Sequence, residues 1–346
     1  MTLESADKPN GPATGGRTEA GSLRVLELIQ SLGLLSVILL CGIALTVATP
    51  VFLTTLNITN LLFAATIIAV VAIGQAFVIL VAGIDLSVGA VLALSSVLCV
   101  GLNMHYDVPV AVSVLAALAV GALIGLVNGL AVTALRVPAL IATLAMMSVV
   151  RGAAYLYSGG QNLAPVPDIF VDIQMTRLFG IPVVILFTLL LALAAHILLT
   201  RTTFGRSIYA TGGNPVAARL AGIPTARVVV AAYVISGFMA ALGGLMITAR
   251  LEAGAATAGV GMELTVISAV VIGGISLFGG EGKIWGVLLG VLLLGLVQNA
   301  VNLLRVPPNW DYIVSGLVIA IAAALDVYRR RYVEAGLVRR TQRKGR

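Results

Sequence analysis

Residues 61–82, LLFAATIIAVVAIGQAFVILVA, form an apolar run whose strongest polar group is the amide of Gln75. A run of this length can cross a bilayer as a helix, since a spanning helix needs about 20 apolar residues. The whole chain is 60% hydrophobic and 10% charged, with a mean hydropathy of +1.09. In soluble domains, roughly a quarter of all residues are charged. The sequence therefore predicts an all-α, polytopic membrane protein.

Similar apolar runs, each bounded by turn residues, predict about ten transmembrane helices within a domain covering 32–328. The polar residues 1–31 are expected to form a disordered cytoplasmic tail. A signal peptide is the alternative for the run that starts at Leu32, but the polar stretch before it is too long for an ordinary n-region, which favours an uncleaved anchor. The ten runs lie near 33–50, 61–82, 86–103, 109–135, 138–157, 180–199, 228–249, 264–280, 284–304 and 311–328.

Basic residues predict the orientation, because short cytoplasmic segments carry an excess of Lys and Arg. With the N-terminus inside, only Arg177, Arg250 and Arg305 fall in outer segments. Both termini are therefore expected in the cytoplasm of a bacterium, with the chain crossing the inner membrane. The basic tail 329–346 suits contact with membrane lipid better than binding of nucleic acid, and we expect no nucleic-acid partner. The inner basic residues are Lys8, Arg17, Arg24, Arg136, Arg201, Arg206, Arg219, Arg227, Lys283 and eight from Arg329 to Arg346.

An internal repeat supports the helix count. Gly83-Ile84-Asp85-Leu86-Ser87-Val88 precedes the third run, and Gly261-Met262-Glu263-Leu264-Thr265-Val266 precedes the eighth with the same order of residue types. A second pair, in which Gly125-Leu126-Val127-Asn128 matches Gly295-Leu296-Val297-Gln298, follows at a similar offset. Five helices per half would invert the second half, as in many transporters. Chance similarity between apolar helices is the alternative.

The two acids of this repeat, Asp85 and Glu263, stand at predicted helix starts. Free backbone N–H groups and the positive helix end favour an anion there, so helix capping together with the hydroxyls of Ser87 and Thr265 is the leading interpretation. Ion coupling or proton relay is the alternative, and it would make the chain a secondary transporter. No other acid lies deep in a predicted span, which favours the caps.

Amide side chains are the candidates for a translocation path. Such groups either join helices to one another or line a polar passage, and the sequence leaves both possibilities open. The spacing in the ninth run puts its amides on or near one stripe of the helix. The five candidates are Gln75, Asn128, Gln298, Asn299 and Asn302.

The longest predicted cytoplasmic loop, 201–227, carries four arginines and no acid. Asn214 followed by Pro215 predicts a helix start, and Gly222 predicts its end. A short capped helix on the inner face would serve to dock a partner; a loop resting on anionic lipid is the alternative. The residues expected to form this coupling element are Gly205, Arg206, Asn214, Pro215, Ala217, Ala218, Arg219, Gly222 and Ile223.

Catalytic signatures are absent from the sequence. Gly282-Lys283 is followed by Ile284 and lacks the upstream glycine of a phosphate-binding loop. His105 and His196 are isolated and unsuited to metal binding. We therefore expect no metal, no cofactor and no enzymatic activity, so another subunit has to supply the energy.

Three strings resemble the ribose/xylose/galactose-type ABC permease family: 83–89 (GIDLSVG), 205–223 and 270–280 (VVIGGISLFGG). The resemblance implies a homodimer of ten-helix subunits, a cytoplasmic ABC ATPase and a periplasmic sugar-binding protein. It also implies that the 205–223 loop couples to the ATPase. Ala82, where the family often has glycine, and the charged pair in Glu281-Gly282-Lys283 depart from the pattern and leave the solute open.

The sequence thus predicts the permease subunit of an ABC importer for a monosaccharide. The alternative is a self-sufficient secondary transporter of a small polar solute, and the 201–227 loop is the feature that discriminates between the two. With 5% aromatic residues and few charges in its spans, the chain lacks the material for a tight sugar pocket. We expect selectivity to reside in the binding protein.

Overall fold

The structure is a computed structural model that describes residues 33–307 and residues 310, 313, 316 and 317. In this part, the chain forms twelve helices and one two-stranded antiparallel hairpin. The helices are α1 Gly33–Ala48, α2 Thr55–Leu80, α3 Val88–Tyr106, α4 Val110–Thr133, α5 Ala139–Ser158, α6 Asp168–Met175, α7 Val183–Arg201, α8 Thr203–Gly213, α9 Pro215–Leu220, α10 Thr225–Leu251, α11 Met262–Ile272 and α12 Ile284–Leu303. Strands β1 Arg177–Leu178 and β2 Ile181–Pro182 precede α7.

The prediction of an all-α membrane protein with several spans is confirmed. Seven helices, namely α2, α3, α4, α5, α7, α10 and α12, are long and apolar enough to cross a membrane, and α1 and α11 are shorter apolar helices. The run predicted at 264–280 gives only the short α11, because Gly273 ends the helix and Gly274 takes a φ of +89°. The predicted tails and nearly all of the run at 311–328 lie outside the described residues.

Helix α2 is the centre of the bundle. Every residue from Ala65 to Leu80 is buried, because neighbouring helices surround this half of α2. A helix that is apolar on all sides is suited to such a position. The run that first suggested a membrane protein is therefore the internal helix, while α4 and α5 leave most of their surfaces open.

Helices α4 and α10 cross closely and run antiparallel. Gly129 faces Val230 at one end of the contact, and Gly121 faces Ala241 further along. Between them a Cβ atom on Gly125 would overlap the carbonyl oxygen of Tyr233. Small residues at such crossings let backbones approach where lipid supplies no hydrophobic drive.

The connecting segments gather at two ends of the bundle. Segments 134–138, 202–224 and 273–283 lie at one end, which we call the α8–α9 end. Segments 107–109 and 159–182 lie at the other, which we call the hairpin end. Segment 252–261 runs from there, where Gly254 pairs with Leu163, to the start of α3, where Gly259 lies against Gly89. Basic residues in the connecting segments and helix ends are more numerous at the α8–α9 end than at the hairpin end. Those at the α8–α9 end are Arg136, Arg201, Arg206, Arg219, Arg227 and Lys283, and those at the hairpin end are Arg177, Arg250 and Arg305.

Candidate functional site

The segment 81–87 between α2 and α3 is not helical, yet its Asp85 and Ser87 are fully buried. Buried backbone needs hydrogen-bond partners, and other helices supply them. The carbonyl oxygen of Ile84 accepts from the Tyr233 hydroxyl at 3.2 Å and from the Thr143 hydroxyl at 3.3 Å. Side chains of α5 and α10 therefore fix this segment inside the bundle.

The carboxylate of Asp85 is the centre of this polar cluster. Its Oδ1 accepts from the backbone N–H of Ser87 at 2.9 Å and from the Ser87 hydroxyl at 2.6 Å. Its Oδ2 accepts from the hydroxyl of Ser236 at 2.9 Å. The amide of Asn128 donates to Ser87 Oγ at 2.9 Å. A buried carboxylate is tolerated when several donors compensate for lost water, and these bonds provide that compensation.

Gln75 pairs with the backbone of the same segment. With its amide turned to satisfy both atoms, the nitrogen donates to the carbonyl oxygen of Asp85 at 3.1 Å, and the oxygen accepts from the Asp85 N–H at 3.2 Å. Gln75 and Asn128 are 0% and 1% exposed. In this conformation both amides join helices to the 81–87 segment, which is the helix-joining possibility that the sequence left open.

The remaining path candidates lie at the hairpin end, remote in the fold from Asp85. Asn299 and Asn57 exchange two hydrogen bonds, with Nδ2 of each donating to Oδ1 of the other at 2.7 and 3.1 Å. Gln298 is half-buried and Asn302 is exposed. The structure thus brings Gln75 and Asn128 together, and it does not join the five amides into one passage.

The starts of α3 and α11, each marked by one of the two repeated acids, lie against each other, since a Cβ atom on Gly89 would overlap the carbonyl oxygen of Gly259. Ser87 is the N-cap residue of α3, but its hydroxyl donates to Asp85 and makes no capping bond; the N-cap of α11 is Gly261. A Cβ on Gly89 would lie 2.7 Å from Glu263 Oε2. That oxygen is buried and has no hydrogen-bond partner within the described part of the chain, and Thr265, two residues further along α11, is half-buried.

Arg151 on α5 holds the segment 252–261 that leads into α11. One guanidinium nitrogen, Nη1, donates to the carbonyl oxygens of Ala256 at 2.8 Å and Ala258 at 2.7 Å. Glu263 lies near enough to act electrostatically on Arg151. Sequence reasoning did not find this role, because the partners are backbone carbonyls about a hundred residues away.

The second candidate site is the pair of helices α8 and α9, residues 203–220, which we call the elbow. The predicted cap is confirmed: Oδ1 of Asn214 accepts from the N–H groups of Val216 at 3.1 Å and Ala217 at 2.9 Å, and Pro215 is the first helical residue. Gly222 follows with a φ of +83°. Helix α8, which the sequence did not predict, begins where Thr202 Oγ1 accepts from the N–H of Gly205 at 3.1 Å.

Exposure divides the predicted coupling residues into two groups. Arg206, Ala217 and Arg219 are exposed, whereas Gly205 and Ala218 are buried and Ile223 is half-buried. Ala218, at 4% exposure, packs inward, so it offers a partner no surface in this conformation.

Two apolar residues of α9 that sequence reasoning missed are open to a partner. Val216 is 68% exposed and Leu220 is 85% exposed. Their spacing of four residues, which places both on one helix face, was the available signal.

A bundle whose described residues form seven helices long and apolar enough to cross a membrane is the fold of a polytopic membrane protein. Comparison with known proteins specifies the class. The model of a protein family described as the permease component of the branched-chain amino acid transport system matches residues 57–323. The chain belongs to this family.

Curated relatives agree with the family match. The chain is 38% identical over 305 residues to the ribose import permease protein RbsC of Haemophilus influenzae, covering 87% of this chain and 94% of the relative. It is 36% identical over 326 residues to the L-arabinose ABC transporter permease protein AraH of Azospirillum brasilense, covering 94% and 95%. It is 38% identical over 290 residues to the fructose import permease protein FrcC of Rhizobium meliloti, covering 81% and 80%. No solved structure gives a significant match.

The resemblance noted in the sequence is therefore confirmed. The chain is the permease component of a bacterial ABC importer and a multi-pass membrane protein. A permease of this kind is not an enzyme, and it works with an ATPase and a binding protein. The alternative of a self-sufficient secondary transporter does not agree with this family.

Proposed function

We propose that this permease carries a monosaccharide, delivered by a periplasmic binding protein, and that its elbow docks the ATPase. The relatives are named as permeases for ribose, L-arabinose and fructose, which supports a sugar of this size. The structural observation that carries the proposal is the elbow: a capped helix with exposed apolar side chains at the basic end of the bundle.

The elbow has the features of a helix that inserts into a groove. Val216 and Leu220 would be the anchors, and Arg206 and Arg219 would face acids at the rim of the groove. Burying one large aliphatic side chain contributes about 1.5–3 kcal/mol. Ala217 allows close approach, while Ala218 supports the helix from the inside.

The solute is expected to cross at an interface between two copies of this chain, with weak binding along the way. Gln298, Asn299 and Asn302 remain candidates for transient contacts, since none of their side chains is fully buried. Gln75 and Asn128 would not contact the solute themselves, and their role would be to hold the 81–87 segment in place. Selectivity then lies in the binding protein, because the chain is only 5% aromatic.

Two inverted halves of five helices remain our proposal for the architecture. Helix α3 runs from the buried Asp85 toward the hairpin end, and α11 runs from Glu263 toward the α8–α9 end. The second matched pair behaves alike, since α4 and α12 run in opposite directions. Helices that begin inside a bundle and run in opposite directions are typical of inverted-repeat transporters.

The α8–α9 end is proposed to face the cytoplasm, because six described basic residues belong to it and three to the hairpin end. Both termini, including the tails 1–31 and 329–346, would be cytoplasmic, with the basic tail near anionic lipid. Single cysteines at Arg206 and Phe179 test this. An impermeant reagent applied to intact cells should label F179C and spare R206C; the reverse would invert the topology.

Docking is tested by co-purification of the ATPase with Leu220→Asp. Because the substitution puts a charge into the proposed groove, ATPase recovery should fall about tenfold. Leu178→Asp, which changes an exposed leucine of the hairpin, is the matched control and should recover the ATPase normally. Equal recovery with L220D and with the unaltered permease would refute docking by the elbow.

A further inference from the structure

The elbow touches the end of the central helix through backbone. Gly212, in the last turn of α8, lies against Leu80, the final residue of α2. A Cβ atom on Gly212 would overlap the Leu80 carbonyl oxygen and lie 2.6 Å from the Gly280 nitrogen. Only hydrogen fits between these segments, so the two helices meet without an intervening side chain.

A third segment, 273–283, closes this contact. The N–H of Gly280 donates to the carbonyl oxygen of Leu80 at 2.9 Å. The hydroxyl of Tyr209, on α8, donates to the carbonyl oxygen of Gly282 at 2.9 Å. We name the five residues Leu80, Tyr209, Gly212, Gly280 and Gly282 the glycine joint. It connects α8, the end of α2 and the segment between α11 and α12.

The joint has the elbow on one side and the buried cluster on the other. Asn214 follows α8 directly and caps α9, so the two helices of the elbow are linked by one residue. Beyond Leu80 the chain enters the segment 81–87, where other helices hold Asp85. Beyond Gly282 it enters α12. A displacement of α8 would therefore act on two parts of the bundle, namely the segment 81–87 through Leu80 and α12 through Gly282.

Close-packed backbone transmits displacement well, because interiors have low compressibility and no side chain lies between Gly212 and the Leu80 carbonyl to absorb the movement by changing rotamer. We propose that Gly212 and Tyr209 are positioning residues that transmit movement of the elbow to α2 and to the 273–283 segment. The proposal rests on the elbow's contact with the ATPase. It assigns to the joint the conversion of ATP hydrolysis into transport.

A joint that merely packs would affect stability and leave the coupling unchanged. The discriminating readout is therefore the amount of sugar moved per ATP hydrolysed. Gly212→Ala is the main variant, and Gly213→Ala is the matched control, because a Cβ atom on Gly213 meets nothing within 4 Å. Tyr209→Phe removes the hydroxyl and keeps the ring, so it tests the bond to Gly282 with little risk to folding.

The importer is assembled from permease, ATPase and binding protein in proteoliposomes, and uptake is measured with whichever of ribose, arabinose and fructose the unaltered complex moves. Gly212→Ala should assemble and hydrolyse ATP but move about tenfold less sugar per ATP, a size usual for coupling between sites. Gly213→Ala should match the unaltered complex, and Tyr209→Phe should fall between.

A second readout requires the ATPase but no sugar. In a background without Cys41 and Cys99, a cysteine at the exposed Val260, in the segment that leads into α11, reports nucleotide-dependent opening through its maleimide labelling rate. Vanadate-trapped nucleotide should change this rate in the unaltered complex and not in Gly212→Ala.

The proposal would be overturned if Gly212→Ala and Tyr209→Phe both moved as much sugar per ATP as the unaltered complex. It would also be overturned if trapped nucleotide changed the labelling rate in both variants as much as in the unaltered complex. If Gly212→Ala fails to fold, normal coupling in Tyr209→Phe is sufficient to overturn it. Loss of ATPase binding in L220D distinguishes failure of the docking proposal from failure of the joint, since the joint variants should retain the ATPase.

Discussion

The hydroxyl of Ser236 on α10 donates to Asp85 Oδ2 at 2.9 Å, although the two residues are 151 positions apart in the chain. This bond ties α10, which also packs on α2, α3 and α4, to the non-helical segment between α2 and α3. The hydrogen bonds of the buried carboxylate therefore form only when several helices are correctly assembled. Its loss should be felt as loss of stability before any effect on solute.

Ser236→Ala removes that donor and leaves the carboxylate under-satisfied, so the free energy of unfolding should fall by about 1–3 kcal/mol. Ser148→Ala is the control, since its exposed hydroxyl bonds only to the carbonyl oxygen of Leu144 in the same helix. Unfolding of the purified permease in detergent measures both. Equal stability of the two variants would contradict the account of the Asp85 cluster.

Gly125→Ala should strongly reduce the yield of folded protein, because its Cβ atom would overlap the Tyr233 carbonyl oxygen and push α4 from α10. Gly152→Ala, on α5, has open space around it and should be neutral or slightly stabilising, since alanine favours helix by up to about 1 kcal/mol. Thermal unfolding compares them. A Gly125→Ala protein with normal unfolding temperature would show that the crossing is not tight.

The reciprocal amide pair of Asn57 and Asn299 joins the start of α2 to α12. Single and double alanine variants should show a coupling energy of about 0.5–2 kcal/mol, because losing either partner removes both bonds. A double-mutant cycle on the free energy of unfolding measures it. Strict additivity would mean that the amide pair contributes nothing to stability, and it would contradict the joining of α2 to α12 by these two side chains.

Arg151→Gln should loosen the segment 252–261, since glutamine cannot reach both carbonyl oxygens that the guanidinium binds. The labelling rate of V260C should be several-fold higher in Arg151→Gln than in the protein that retains Arg151. Arg177→Gln, which changes an arginine of the hairpin strand β1, is the control and should leave the rate unchanged. Equal rates in all three proteins would show that Arg151 does not hold the segment.

Local patterns carried much of the fold. Apolar runs predicted the spanning helices because each run is long enough by itself, and Asn214 with Pro215 predicted α9 because capping depends on neighbouring residues alone. Local patterns could not predict the short length of α11, since a run remains apolar through Gly273 and Gly274 while the backbone turns.

The site was less accessible to sequence reasoning. Gln75 and Asn128 were singled out as amides that either join helices or line a passage, but their partner, the segment around Asp85, is defined by contacts between distant helices. The inward position of Ala218 depends on how α9 packs against the rest of the bundle. Likewise, the contact of Gly212 with Leu80 joins residues with no shared motif. Distances of this kind follow from packing, which no single stretch encodes.

The most direct test of the account is sugar uptake into proteoliposomes that enclose ATP and carry the permease with its ATPase, with the binding protein outside. The account predicts that at least one of ribose, arabinose and fructose accumulates, and only when ATP, ATPase and binding protein are all present. Accumulation by the permease alone under a proton or sodium gradient, or no accumulation of any of the three sugars by the complete system, would contradict it.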